Sequence, residues 1–372
     1  FMNGLIPPPD SLGIPSPPVI FHLLSILTFV LHVIFMNYVL GGSIMAAVHE
    51  WLFGNRSHVG QANSLMIRIM PVALSMAITM GVAPLLFVQV IYGQFFYIAN
   101  ILMGAFWLSI IGLVMAAFYM IYILIAKRPV SERASGLTRI GILINALLFL
   151  VVAFIYVNNA ILTENPQYWT DIHSGRRWIV APDASLWPRY LHFIIGAIAV
   201  AGLWCAAIGR YQIRYHEDRA EAGRWMVKTG LHWAVAATTF EILIGVLFLY
   251  TLGWDKIKAF MGNGILFVGW SISLVTALIA FVCMIMAMMK PENPKLLWGS
   301  IGLISATLVG MAMGRLLLRT ISLETFVQDL TVRLSHSSLL LFLITFIAGL
   351  AVLAYLIRLT WTLPDRTDAS EA

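Results

Sequence analysis

The sequence predicts an all-α, polytopic membrane helix bundle of about nine transmembrane helices, and three observations carry that prediction. Hydrophobic residues make up 60% of the 372-residue chain and charged residues only 11%, with mean hydropathy +0.88. A soluble domain is close to half apolar and a quarter charged, so this chain lacks the polar side chains to cover a watery surface. The apolar residues also fall into runs of about twenty or more, the length that crosses roughly 30 Å of hydrocarbon as a helix. Lastly, the charges gather in the short segments between those runs.

Taken in order, the expected spans are roughly 19–45 (continuing helical toward Trp51), 70–93, 99–126, 140–162, 190–212, 228–252, 263–289, 296–320 and 336–361. Most breaks between them carry turn or charge signals: Gly54-Asn55-Arg56, Lys127-Arg128-Pro129, a long 163–188 loop, the charged loop 213–227, Lys290-Pro291-Glu292-Asn293-Pro294 and Glu324–Arg333. The break near Tyr92-Gly93-Gln94 carries no charge. The whole reads as a proline-rich tail (1–18), a single transmembrane bundle (19–361) and a terminal tail (362–372).

Basic residues orient the bundle. With the N-terminus outside, fifteen of the 23 lysines and arginines lie in inner loops or the tail, and eight lie outside. Positive charge concentrates on the inner side of membrane proteins, so the expected topology is N-terminus outside, C-terminus inside. The 163–188 loop is then outer, and 213–227 is inner. The net charge of +6 is thus an orientation signal and gives no reason to expect a nucleic-acid partner. Cys205 and Cys283 both sit in apolar runs with no C-x-x-C spacing, which argues against covalently attached c-type haem.

Ionisable groups within lipid are costly and mark function by default. His22, His192 and His336 each lie three or four residues into a helix entering from the outer side. All three imidazoles are therefore expected about 5 Å below the outer boundary at 1.5 Å per residue. Histidines on separate helices at one depth suit the axial coordination of a b-type haem iron. Arg315, Arg319 and Arg189 lie near that depth and suit the haem propionates, while Met311, Met313 and Met261 offer thioether ligands. The competing reading makes each histidine an interfacial residue bonded to water or lipid, and the methionines packing residues. His32 lies about 15 Å deeper than His22. It is either a second haem's ligand or a core histidine bonded to a residue such as Glu241 or Asn145. Glu241, well inside span six, either pairs with Arg315 or exchanges protons in quinone chemistry.

These residues resemble subunit I of the cytochrome bd quinol oxidases. Phe21-His22-Leu23-Leu24 running to Leu40-Gly41-Gly42 looks like that family's opening helix. Ile140–Leu147 running to Asn158-Asn159-Ala160, with Asn165-Pro166 after it, looks like its fourth helix and turn, and Tyr190-Leu191-His192 occupies the place of its low-spin haem histidine. The likeness covers spans one to five best. The resemblance implies a multi-pass protein of the bacterial cytoplasmic (inner) membrane, one or two b haems, quinol as substrate, and partner subunits of a respiratory complex. The departures bear on activity. Asn100–Leu108 holds no acid, Gly314-Arg315-Leu316-Leu317-Leu318 stands where Gly-Arg-Gln-Pro-Trp is expected, and Trp270 stands where a haem-ligating methionine is expected. The quinol-oxidising loop shrinks to Gly253–Gly262.

The expectation is therefore a b-haem subunit of a quinol:acceptor oxidoreductase that does not reduce oxygen, with Glu241 as its catalytic acid–base. Electrons would leave near the outer face to a c-type, plausibly multihaem, cytochrome. A cofactor-free membrane anchor and a transporter are the alternatives. Gly81 and Pro84 could break span two as transporters break helices, though few midplane polar groups support that.

Overall fold

The computed structural model describes residues 6–8, 13–53, 57–127, 135–176, 179–327 and 332–362. The 54–56 and 128–134 turns, parts of the N-terminal tail and of the 163–188 and 324–333 loops, and residues 363–372 lie outside the described residues. The described residues form eleven α-helices: α1 Pro18–Phe53, α2 Ser57–Leu102, α3 Gly104–Lys127, α4 Gly136–Glu164, α5 Trp169–His173, α6 Leu186–Tyr215, α7 Ala220–Leu252, α8 Trp254–Met261, α9 Gly264–Met289, α10 Pro294–Leu323 and α11 His336–Thr362. Eight of them (α1–α4, α6, α7, α9, α10) are long and apolar enough to cross a membrane. The ninth expected span coincides with α11, 27 residues long, which among the described residues packs extensively against none of the other helices.

The expected break near Tyr92-Gly93-Gln94 falls on a kink, but the residues expected between spans two and three are helical. Helix α2 bends at Tyr92 (φ −123°, ψ 29°) yet resumes at once and runs to Leu102, and the interruption before α3 falls at Met103. Tyr92, Phe95, Phe96 and Ala99 follow the i, i+3, i+4, i+7 spacing of one helix face, and all four are buried. Phe95 packs on Trp169 and Phe96 edge-on against Trp107, so the segment stays helical without a charge to mark it. Helix α2 also begins well before residue 70, because Val59, Ala62 and Met66 are fully buried against the body.

Consecutive helices alternate direction, which gives the bundle two ends: one near Glu50, the other near Asn165. The Glu50 half is close-packed. In α1, six of the eight residues from Ser43 to Glu50 are buried, among them Met45, Ala46, His49 and Glu50. Helices α6 and α7 make the most extensive pairing in the molecule. A Cβ at Gly230 would lie 2.4 Å from the Gly202 carbonyl oxygen, and one at Gly223 would lie 2.7 Å from the Gly209 carbonyl oxygen. Only glycine admits this backbone approach, the packing mode of helices in lipid. Gly230→Val is expected to destabilise the fold by about 1–3 kcal/mol or more through overpacking, read as a lower thermal midpoint in detergent. Gly299→Ala, where a Cβ meets nothing within 4 Å, should leave the midpoint unchanged or raise it.

Packing differs in the Asn165 half. No residue of α1 from Phe21 to Phe29 is buried, and none of α7 from Thr239 to Leu252. The polar side chains of this half gather beside those stretches.

Candidate functional site

Helix α4 ends at Glu164, and the chain turns through Asn165 and Pro166 into a short 3-10 turn and α5. Trp169 Nε1 donates to the Leu162 carbonyl at 2.8 Å, folding α5 back on α4. The Asn158 side chain donates to the Ile179 carbonyl (3.0 Å) and accepts from the Ala181 amide (2.8 Å), pinning the returning strand of the loop. The result sets the first turn of α6 beside the last turn of α4. There Arg189 Nη1 donates to Glu164 Oε2 at 2.8 Å.

Each of these two charges sits at the helix end whose dipole disfavours it, a carboxylate at a C-terminus and a guanidinium at an N-terminus, so the pairing compensates both. Arg319 of α10 approaches the other carboxylate oxygen, Nε to Oε1, at 3.8 Å. Arg315, one turn earlier, lies within electrostatic range of all three. Glu164 is 2% exposed. Two guanidiniums thus face one buried carboxylate with a third in the neighbourhood, and two positive charges in the group have no anion within it.

Each arginine also touches an aromatic ring that packs against a histidine. Arg319 lies over the Tyr92 ring (5.8 Å), which stacks with His22 at 6.5 Å. Arg189 lies over Phe248 (5.3 Å), which stacks with His192 at 6.0 Å. Arg315 lies over Phe29 (4.3 Å), and Phe29 leans on His32 at 6.3 Å. Three histidine–aromatic–arginine units therefore converge toward Glu164 from α1, α2, α6, α7 and α10.

Hydrogen bonding sorts the histidines by what their nitrogens have left to do. His32 Nδ1 lies 2.7 Å from the Ala77 carbonyl, which only accepts, so Nδ1 carries the proton and Nε2 keeps its lone pair. Gly81 makes room for this ring, since a Cβ there would lie 2.7 Å from His32 Nδ1. His192 Nδ1 lies 2.9 Å from Glu241 Oε1, a close ion-pair contact that is not aligned as a hydrogen bond. His22 Nε2 is buried and without a hydrogen-bond partner among the described residues. His49, at the opposite end, has both nitrogens engaged: Trp233 Nε1 donates to Nε2 at 2.7 Å, and Nδ1 faces Asn63 Oδ1 at 3.3 Å. Asn63 in turn donates to Glu50 Oε2 at 2.9 Å. His49 is a structural residue tying α1, α2 and α7.

The expected site residues therefore separate. His22, His32, His192, Arg315 and Arg319 belong to this end of the bundle together, joined by Arg189. Glu241 joins them, but its partner is His192 and not Arg315: α6 and α7 are adjacent antiparallel helices, whereas Arg315 is drawn over Phe29. His336 does not join. It opens α11, is exposed, and its helix is tied to the body through backbone contacts of Arg333 and Ser335 with Ile14 and Pro15. Met313 lies against Gly269 of α9, where a Cβ would lie 2.2 Å from its methyl. Met311 is half-buried on the same helix. Trp270 covers Gly314 and packs edge-on against Phe260 at 5.0 Å. Sequence reasoning missed Glu164 altogether, although the Asn165-Pro166 helix stop beside it marks a carboxylate at a helix end.

No protein-family model matches this chain, and no curated protein matches it. Among solved structures the chain is similar to the bd oxidase from Geobacillus thermodenitrificans, with a TM-score of 0.67 at 12% sequence identity, over 94% of this chain and 100% of that chain. At that identity the likeness shows the fold: a bd-like, multi-pass membrane helix bundle.

Proposed function

We propose that this chain is the b-haem electron-transfer subunit of a membrane quinol:acceptor oxidoreductase, in the bacterial cytoplasmic membrane with its Asn165 end outward. The observation that carries the reading is the excess of buried positive charge beside imidazoles that each keep a free ring nitrogen. Three guanidiniums against Glu164 leave a site that a ligand bearing two carboxylates would neutralise, as haem propionates do. His192 and His22 would hold the iron in this reading, His22 through an Nε2 that has no hydrogen-bond partner among the described residues, with His32 the candidate for a second group. Among the described residues no three His, Cys, Asp or Glu converge as a metal cage.

When bound, haem supplies a one-electron carrier whose potential the protein sets through axial ligands, hydrogen bonds and burial. The chain's part is to orient and to exclude water. Ala77 fixes which nitrogen of His32 carries the proton, Glu241 lies against His192 Nδ1, Tyr92, Phe248 and Phe29 hold the ring planes, and the close-packed Glu50 half closes the far side. Quinol would approach from lipid along the exposed face of α7, where Phe240, Leu243 and Leu247 are open. The acceptor is a partner protein at the outer face, such as a c-type cytochrome. The third helix brings no carboxylate to the bundle interior, so oxygen reduction is not part of the proposal.

The test is a reduced-minus-oxidised spectrum of the purified chain with pyridine haemochrome extraction. A b-type α-band with extractable haem is expected. A chain purified intact from haem-replete membranes without either would overturn the reading in favour of a cofactor-free anchor.

A further inference from the structure

Glu241 is a carboxylate on a helix face otherwise built for lipid, and its surroundings are specific. On α6, His192 is followed one turn later by Gly196; on α7, Glu241 is followed one turn later by Gly245. A Cβ at Gly196 would lie 3.0 Å from Glu241 Oε1, and one at Gly245 would lie 3.7 Å from His192 Cε1. Each helix thus presents one functional side chain and, four residues on, a glycine that receives its neighbour's. The reciprocal fit leaves Oε1 at 2.9 Å from Nδ1, while Phe248 stacks on the imidazole from the next turn of α7.

A salt bridge serving only to fasten α6 to α7 would be redundant, because Gly202–Gly230 and Gly209–Gly223 already bring those backbones into contact further along. What the pair does uniquely is direct Nε2. A carboxylate this close to Nδ1 favours the tautomer protonated there, restrains the ring and makes Nε2 a more electron-rich ligand.

From this geometry we infer that Glu241 is a positioning residue for His192, holding the imidazole and lowering the reduction potential of the iron it ligates. The inference rests on the haem reading above. An electron-rich ligand favours the oxidised metal over the reduced one, so removing the negative charge raises the potential. Glutamine keeps an oxygen that can accept Nδ1–H but carries no charge.

The experiment is a potentiometric titration of the haem in the purified full chain, wild type against Glu241→Gln, with the low-spin electron paramagnetic resonance spectrum of each. Glu241→Gln should retain haem and shift the reduction equilibrium about tenfold toward the reduced form, which is ~59 mV for one electron. Its low-spin signal should move as well. Glu241→Asp keeps the charge on a shorter arm and should return the potential part of the way. Haem present in Glu241→Gln at an unchanged or lower potential overturns the inference and leaves the haem reading standing. Should Glu241→Gln fail to assemble, Glu241→Asp decides, and an unmoved potential there overturns it. Absence of haem from the wild-type chain would overturn the reading beneath it.

Discussion

Glu164→Gln is expected to destabilise the protein by about 3–5 kcal/mol, the cost of leaving a buried charge without its partner. Two guanidiniums depend on this carboxylate, Arg189 at 2.8 Å and Arg319 at 3.8 Å, and no water replaces it at 2% exposure. Glutamine preserves shape and one acceptor oxygen, so the loss is electrostatic and not a cavity effect. It falls on the turn that joins α4 to α6. The α5 segment and the first turn of α6 should therefore loosen before the rest, read as faster amide exchange over 165–190 and a lower thermal midpoint in detergent. Glu221 supplies the contrast. It lies 3.9 Å from His58 with its side chain 81% exposed, a surface pair of little net value. Glu221→Gln should leave the midpoint unmoved. A Glu164→Gln variant within about 1 kcal/mol of wild type would remove Glu164 from the centre of this network and, with it, the charge-balance argument for a dianionic ligand.

The fold was legible in the sequence where its signal is chemical, and less so where it is geometric. Hydropathy and turn residues locate α1, α3, α4, α6, α7, α9 and α10, because lipid admits only apolar runs of spanning length. They mark the kink at Tyr92 but not the helical turns beyond it, where Phe95, Phe96 and Ala99 pack onto the body before α3 begins. Depth was the one coordinate available for the histidines. It put His22, His192 and His336 on one level, but says nothing of which helices pack together, and α11 does not bring His336 to the other two. Charge alone points Glu241 toward Arg315. Adjacency was the better guide: consecutive antiparallel helices lie side by side, which leads from α7 to α6 and so to His192. Glu164 was read as the start of a loop, and only the fold shows that the loop returns its chain to the same helix end.

His192→Ala carries the largest spectroscopic effect expected of a single substitution: loss of the haem that His192 ligates, with its share of the b-type α-band, from a chain that still folds. The imidazole is only half-buried, so the structural cost is small. Added imidazole should enter the space left at residue 192 and restore part of the band, an outcome that a packing defect would not give. His49→Ala should do the reverse. Both nitrogens of His49 are engaged, with Trp233 and Asn63, and its removal strands an indole N–H and disturbs the Asn63–Glu50 contact. A cost of about 1–3 kcal/mol in stability is expected there, with the α-band intact per folded chain. These opposite results follow from one distinction: an imidazole whose second nitrogen is unspoken for can serve iron, and one held at both nitrogens serves the fold. If His49→Ala lost haem while His192→Ala kept it, the assignment of the Asn165 end as the redox end would be wrong.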